Sequence, residues 1–416
     1  MDPTTILLAI ATITGLYMAW NIGANDVANA MGTSVGSGAL TLKRAIIVAA
    51  IFEFGGALLV GGSVTKTISK GIIDIDALGG DAMVLAVGMT CCLLAAAIWL
   101  HIATYFGWPV STTHSIVGAV GGMGVVAGGF GAVNWFMMGK IAASWVVSPV
   151  MGGFIGFVLF LTLKRYVLAT DAPLARMRVM GPLMTFPIFA ILAMALMFKG
   201  LKPLKLDLPF GTALIVALAI GAGVAVLSVP IFRRLTREAG TLETEESLKQ
   251  TERVFTVLQI MTACLVAFAH GSNDVANAVG PLAAVFSAVK DGIQAEVEVP
   301  IHILLIGGIG IVVGLSTYGY KVMGTVGEEI TELTPSRGFT AEFAAATTIV
   351  LASKLGLPVS TTHTLVGSVV GVGFARSIGA INAQVVKGIV ASWFITVPFA
   401  AILSAVLFLL ARMVFL

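Results

Sequence analysis

GANDVANA at residues 23–30 and GSNDVANA at 271–278 decide how this chain is read. Each sets Asn, Asp and Asn into a stretch otherwise apolar enough to lie in a membrane. The first supplies Asn25, Asp26 and Asn29, the second Asn273, Asp274 and Asn277. An ionised carboxylate at membrane depth costs roughly 3 kcal/mol or more and marks an ion or substrate pathway by default. Two of them in near-identical settings, 248 residues apart, point to a site that is used rather than tolerated.

The surrounding composition sets the class. Of the 416 residues, 58% are hydrophobic and only 11% charged, with a mean hydropathy of +1.01. Soluble domains carry about 25% charged residues, so the chain reads as an all-α polytopic membrane protein in a lipid bilayer. Its 48 glycines suit close helix packing and interrupted helices in lipid. A net charge of +3 without any basic-aromatic stretch argues against nucleic acid as a partner. Cys91, Cys92 and Cys264 all fall in apolar segments, so they form neither a disulfide framework nor a zinc site. The opening Met-Asp-Pro-Thr-Thr lacks the basic region of a cleavable signal, and the first segment is expected to be retained.

Apolar segments of membrane length recur near 5–31, 43–62, 82–106, 109–130, 133–163, 179–198, 208–232, 254–280, 300–318, 339–357, 358–378 and 384–416. They give about 12 transmembrane helices, because backbone polar groups in lipid must be satisfied within the segment. The charged stretch 233–253, RRLTREAGTLETEESLKQTER, reads as a water-exposed linker. Two further blocks repeat. PVSTTHSIVGAVGG at 109–122 matches PVSTTHTLVGSVVG at 358–371, and AASW at 142–145 matches VASW at 390–393. The offsets agree to within one residue, so the chain divides into repeat 1 (1–163), two intervening segments plus a charged cytoplasmic linker (164–253), and repeat 2 (254–416). If every segment crosses, an odd number of crossings separates the copies and they are inverted; re-entrant PVSTTH segments would make them parallel. The distribution of Lys and Arg does not separate the two cases. Inverted repeats with broken helices are the expectation, since duplicated transporters commonly meet at an inverted interface.

The first apolar run, Ile6–Trp20, is short of a full span before it meets Asn21, Gly23, Asn25 and Asp26. Val254–Ala269 likewise runs into His270, Gly271, Asn273 and Asp274. Gly and Asn favour an unwound turn there, which frees backbone carbonyls. The four-residue spacing stacks Asn25 under Asn29 and Asn273 under Asn277. Each copy thus gathers one carboxylate, two amide oxygens and loose carbonyls, hard ligands suited to alkali or alkaline-earth cations. In PVSTTH, Pro109 and Pro358 end the preceding segment. Ser111 and Ser360 are good N-caps, and Thr112, Thr113, Thr361 and Thr362 occupy the first turn. Free N–H groups and hydroxyls at the positive end of a helix make an anion site without Arg or Lys. Two carboxylates and a bound oxyanion in a low dielectric are untenable without mobile cations, so the two ligands should bind cooperatively. A protonated phosphate donates as well as accepts hydrogen bonds and suits nearby Asp and Asn better than sulfate does.

Glu53, His114, Glu342 and His363 are candidate supporting residues, placed as polar groups within apolar segments. Arg337 could pair with Glu342 on the next turn, or simply cap a solvated helix end. His101, His270 and His302 show no ligand-like spacing.

These strings, with KGIIDID at 70–76 and PSRGF at 335–339, resemble the inorganic phosphate transporter (PiT) family over nearly the whole chain outside the middle segments and linker. The resemblance implies a cation-coupled phosphate symporter rather than an enzyme, with no covalent cofactor and a likeness to the sodium-coupled branch. Proton-coupled bacterial members tend to carry His before the first Asp, where this chain has Asn25. It further implies sodium at Asn25, Asp26, Asn29, Asn273, Asp274 and Asn277. Phosphate falls to Ser111, Thr112, Thr113, Ser360, Thr361 and Thr362. The family setting also implies a homodimer in the plasma membrane. Parity and the cytoplasmic placement of Lys164, Arg165 and Arg233 put both termini outside. Rival readings are a proton-coupled phosphate or sulfate symporter of the same fold and, more remotely, an anion channel.

Overall fold

The computed structural model describes residues 2–60, 71–74, 76–197, 208–292, 297, 299–354 and 359–416. Pro358 and Lys70 lie outside the described residues. Helix α1 (Pro3–Ile22) starts with Pro at its first position, where the missing N–H costs nothing. It continues through a π-helical turn, Gly23–Val27, into α2 (Ala28–Gly36). The expected interruption is therefore present, but as a widened turn with helical dihedrals rather than as an unwound stretch. Such one-turn π insertions displace single carbonyls from the ladder and often mark functional positions. In repeat 2, α9 (Thr244–Asp274) passes into α10 (Ala276–Asp291) across Val275 alone, also helical in φ and ψ.

The next elements are α3 (Leu42–Val60), α4 (Ala82–Tyr105), α5 (Thr112–Gly128) and α6 (Trp135–Leu163). Between the repeats come α7 (Pro173–Ala195) and α8 (Phe210–Leu235), packed on each other. Repeat 2 goes on with α11 (Ile301–Tyr318), α12 (Tyr320–Gly324), α13 (Pro335–Lys354), α14 (Thr361–Arg376) and α15 (Ala383–Phe415). No strand forms among the described residues. Eight helical stretches there are long and apolar enough to cross a membrane by length and composition. The 17 residues of α5 and 16 of α14 are not among them. At 1.5 Å per residue they cover about 25 Å, short of the roughly 30 Å hydrocarbon core.

Both short helices belong to hairpins. Backbone bonds Asn134 N to Ile72 O (2.9 Å) and Asp74 N to Ala132 O (2.8 Å) close the base of the α4–α5 pair. Asn382 N to Ile330 O (2.9 Å) and Thr331 Oγ1 to Ala380 O (2.8 Å) close α13–α14 in the same way. Each hairpin therefore leaves and returns at one end of the molecule, with Ser111 or Ser360 at its tip.

Packing across the repeats is reciprocal. Helix α1 lies on α11 and α9 on α3; α5 lies on α15 and α14 on α6; α4 lies on α10 and α13 on α2. Contacts of that form are what a two-fold relation generates. Glycine makes the first of them close: a Cβ on Gly23 would sit 1.8 Å from Ile311 O, and one on Gly271 2.2 Å from Glu53 O. Outward faces are apolar, as lipid requires, with Phe136 74% and Met413 84% exposed.

The charged linker is shorter than the sequence suggests. Helix α9 begins at Thr244, with Glu245 and Glu246 in its first turn, a favourable charge at a helix N-terminus. Ser247 and Thr251 on its inner face are buried, and Ser247 Oγ accepts Leu174 N from α7 (3.4 Å). Only 236–243 is left as a non-helical connection.

Candidate functional site

The two Asn-Asp motifs and the two hairpin tips meet in one buried place. Asp26, 2% exposed, accepts Thr112 Oγ1 on one carboxylate oxygen and Thr362 Oγ1 on the other (2.8 Å for the second). Asp274 accepts Thr361 Oγ1 at 2.6 Å, and its other oxygen takes Asn273 Nδ2 (2.9 Å). Each Asp thus holds the first threonine of its own repeat's hairpin. The asparagines cross over: Asn29 Nδ2 donates to Thr362 Oγ1 (3.0 Å), while Asn277 Nδ2 donates to Thr112 and Thr113 Oγ1 (3.0 and 3.2 Å). Neither repeat can assemble this cluster alone.

Local structure explains why the threonines point inward. Ser111 and Ser360 cap α5 and α14 with Oγ accepting His114 N (3.2 Å) and His363 N (3.1 Å). Each cap satisfies one orphan donor of its helix. The capped turns present Thr112, Thr113, Thr361 and Thr362 towards the carboxylates, and all four are buried. Asn25 has a different engagement. Its Nδ2 donates to Thr104 Oγ1 and Trp108 O (both 3.0 Å) and its Oδ1 accepts Val110 N (3.1 Å), so it clamps the α4–α5 tip. Asn29 Oδ1, by contrast, is buried without a donor among the described residues, the state a cation ligand would be left in.

His270 is the residue the sequence reading passed over. It stands one turn before Asp274, with Nδ1 3.0 Å from Glu53 Oε2 and Nε2 2.8 Å from Asp274 Oδ2. The second is an ion-pair distance whose angle falls short of a hydrogen bond. One ligand atom from each of Asp26, His270 and Asp274 lies within 4.8 Å of the other two. The four-residue spacing of His270 and Asp274 was the available signal. Glu53 therefore supports the centre through His270, and the Gly271 close approach is what brings α3 near enough.

Glu342 stands apart. Its carboxylate is fully buried and accepts Thr33 (2.8 Å), Ser34 (2.6 Å), Gln259 (3.1 Å) and Thr262 (2.6 Å). Arg337 does not reach it; the guanidinium donates to Glu332 O at 3.0 Å and lies 3.6 Å from the Glu332 carboxylate instead. A helix that buries Glu342 turns a residue five positions earlier to another face. His114 and His363 face each other beside the threonines, their ring centroids 4.2 Å apart.

Among the described residues no lysine or arginine bonds either aspartate. What remains is a cage of two carboxylates, two asparagine amides and four hydroxyls at two helix starts. It can take hard cations at the carboxylates and an oxyanion at the hydroxyls.

A family model described as the phosphate transporter family matches residues 22–404. The chain belongs to the phosphate transporter family. Inorganic phosphate transporter 2-1, chloroplastic, of Arabidopsis thaliana is 45% identical over 428 aligned positions, covering 97% of this chain and 72% of that protein. A solved structure titled the sodium-dependent phosphate transporter is 43% identical, with a TM-score of 0.90 over 98% of this chain and 100% of its own. This family member is accordingly a polytopic membrane transporter, not an enzyme. Both Asn-Asp motifs and both PVSTTH strings fall inside the matched span.

Proposed function

We propose that the protein is a sodium-coupled inorganic phosphate symporter that works by alternating access. One observation carries this reading: Asp26 and Asp274 come together with His270 within 4.8 Å, and both carboxylates already bind the hydroxyls of the hairpin tips. Two carboxylates so close repel, and a sodium ion between them relieves that repulsion. The threonine hydroxyls they now hold then turn to the phosphate oxygens. Sodium and phosphate depend on each other through these shared hydroxyls, which is the physical content of symport.

Asp26, Asn29, Asp274 and Asn277 supply the cation side, with Asn25 and Asn273 holding the geometry. Ser111, Thr112, Thr113, Ser360, Thr361 and Thr362 supply the phosphate side. Inversion of repeats 1–163 and 254–416 is supported by the hairpins. Helices α4 and α5 contribute an even number of crossings whether they span or re-enter, so the count between the copies stays odd. The termini then share one face, the outer one if Lys164, Arg165, Arg176, Arg178, Arg233, Arg234 and Arg253 face the cytoplasm. A homodimer in the plasma membrane completes the proposal.

The test is phosphate uptake into proteoliposomes under an inward sodium gradient, an inward proton gradient, or neither. Sodium-driven accumulation is expected; uptake that ignores sodium and collapses with an uncoupler refutes the coupling. His270, bridging Glu53 and Asp274, is the observation that would favour proton coupling, and the same experiment separates the two.

A further inference from the structure

Half of the buried side-chain polar atoms that find no partner among the described residues lie in one cluster outside the carboxylate cage. They are both ring nitrogens of His114, Nε2 of His363, Nε1 of Trp145 and Oγ of Ser148. His114 and His363 meet edge to face at 74°. Trp145 lies 3.7 Å from the His114 ring, and Trp393 stacks 3.5 Å from His363. His363 Nδ1 is 3.3 Å from Trp145 O, while Trp393 Nε1 is used by Pro109 O (3.1 Å). Ser148, 3% exposed, stands one turn beyond Trp145, whose carbonyl meets His363, and one turn before Gly152, which lies against Thr364 and Ser368 of α14. His114 and His363 are themselves only 2% and 3% exposed.

Four residues that leave five polar atoms unpaired are a poor choice for packing alone, because burying such groups without partners is costly. Phenylalanine and alanine would make the same stack without that cost. The chemistry of the set limits its ligand. An indole N–H only donates, so a cation is a poor occupant. An imidazole in either neutral tautomer offers one N–H and one lone pair, and a serine hydroxyl both donates and accepts. Donors mixed with acceptors, all without formal charge partners, match a protonated oxyanion that carries P–O⁻ and P–OH groups together.

Position links the cluster to the central cage. His114 directly follows Thr112 and Thr113, and His363 directly follows Thr361 and Thr362, in the capped first turns. We propose that His114, His363, Trp145 and Ser148 form a second phosphate station, which receives the protonated anion as it leaves the threonine hydroxyls. This rests on the central-site reading above and adds a path for the substrate beyond it.

The test uses the full-length protein, purified and reconstituted, as the His114→Phe/His363→Phe double variant and as Trp145→Phe. Phenylalanine keeps the aromatic stack and removes the ring nitrogens. Equilibrium binding of radiolabelled phosphate reads the central cage, and initial uptake rate reads passage. The expected result is binding within ~2-fold of wild type and a maximal rate lower by ~10-fold or more, the pattern of an interaction made only after binding. His114→Gln, which keeps a donor and an acceptor, should recover most of the rate. Unchanged uptake in both variants would overturn the station, as would loss of binding in step with loss of uptake, which would make the cluster part of the cage or of the fold. If the double variant does not fold, Trp145→Phe alone decides by the same split. A wild-type protein that binds no phosphate would refute the central-site reading itself.

Discussion

Asp26→Asn separates the two things the paired carboxylates do. In the absence of sodium they repel across no more than 4.8 Å. With an effective dielectric near 20, a separation of that size corresponds to about 3.5 kcal/mol between two full charges, which His270 and the threonine hydroxyls reduce. Asparagine removes the charge while its remaining oxygen still accepts one threonine. The variant should therefore be more stable than wild type in choline chloride, by ~0.5–2 kcal/mol once the lost hydrogen bond to a charged acceptor, about 1.5–3 kcal/mol, is deducted. Sodium should raise the thermal midpoint of wild type through binding to the folded state alone, and should leave Asp26→Asn nearly unmoved. The assay is a thermal unfolding series in detergent, with sodium or choline at constant ionic strength, followed by phosphate binding in each salt. A variant that is less stable than wild type in choline and keeps its full sodium shift would refute the shared-cation reasoning.

Four further outcomes are expected. Thr362→Val removes the hydroxyl that Asp26 and Asn29 share; phosphate KM should rise by ~10-fold or more, since hydrogen bonds to charged groups contribute about 1.5–3 kcal/mol. Ser360→Ala deletes the cap on His363 N and should lower stability by ~1 kcal/mol, read as a thermal shift, together with weaker phosphate binding. Glu342→Gln sets an amide donor among four donors; it should cost ~1–3 kcal/mol in unfolding experiments whether or not phosphate is present. Gly271→Ala would place its methyl 2.2 Å from Glu53 O, so α3 must move, and transport should fall while expression in the membrane persists.

Much of the architecture was legible because it is written in short-range terms. Ser111 and Ser360 cap their helices as the PVSTTH strings imply. What the strings did not disclose concerns how helices sit against one another. Whether the PVSTTH segments cross or return is such a question: α5 and α14 are short returning arms of hairpins, and the bonds that reveal this join Ile72 to Asn134 and Ile330 to Asn382 across long separations. Charge alone does not distinguish a coil from the exposed first turns of a helix with one buried face, so the charged stretch 233–253 includes the start of α9.

The same division runs through the site. Apolar composition sufficed for the membrane class, and the duplicated Asn-Asp motif and helix start picked out residues that meet at one buried centre, since each depends on local residue properties. Which side chain partners which was decided only by tertiary contact. Asn29 reaches Thr362 and Asn277 reaches Thr113, because the helices of each repeat pack on those of the other. His270 looked ordinary in the sequence and became central because Gly271 lets α3 carry Glu53 against it. Arg337 looked like a partner for Glu342 and is not one, since the two leave α13 on different faces. Local chemistry is fixed by the residues present; partnership between distant residues is fixed by the close approach of backbones, which no single segment encodes.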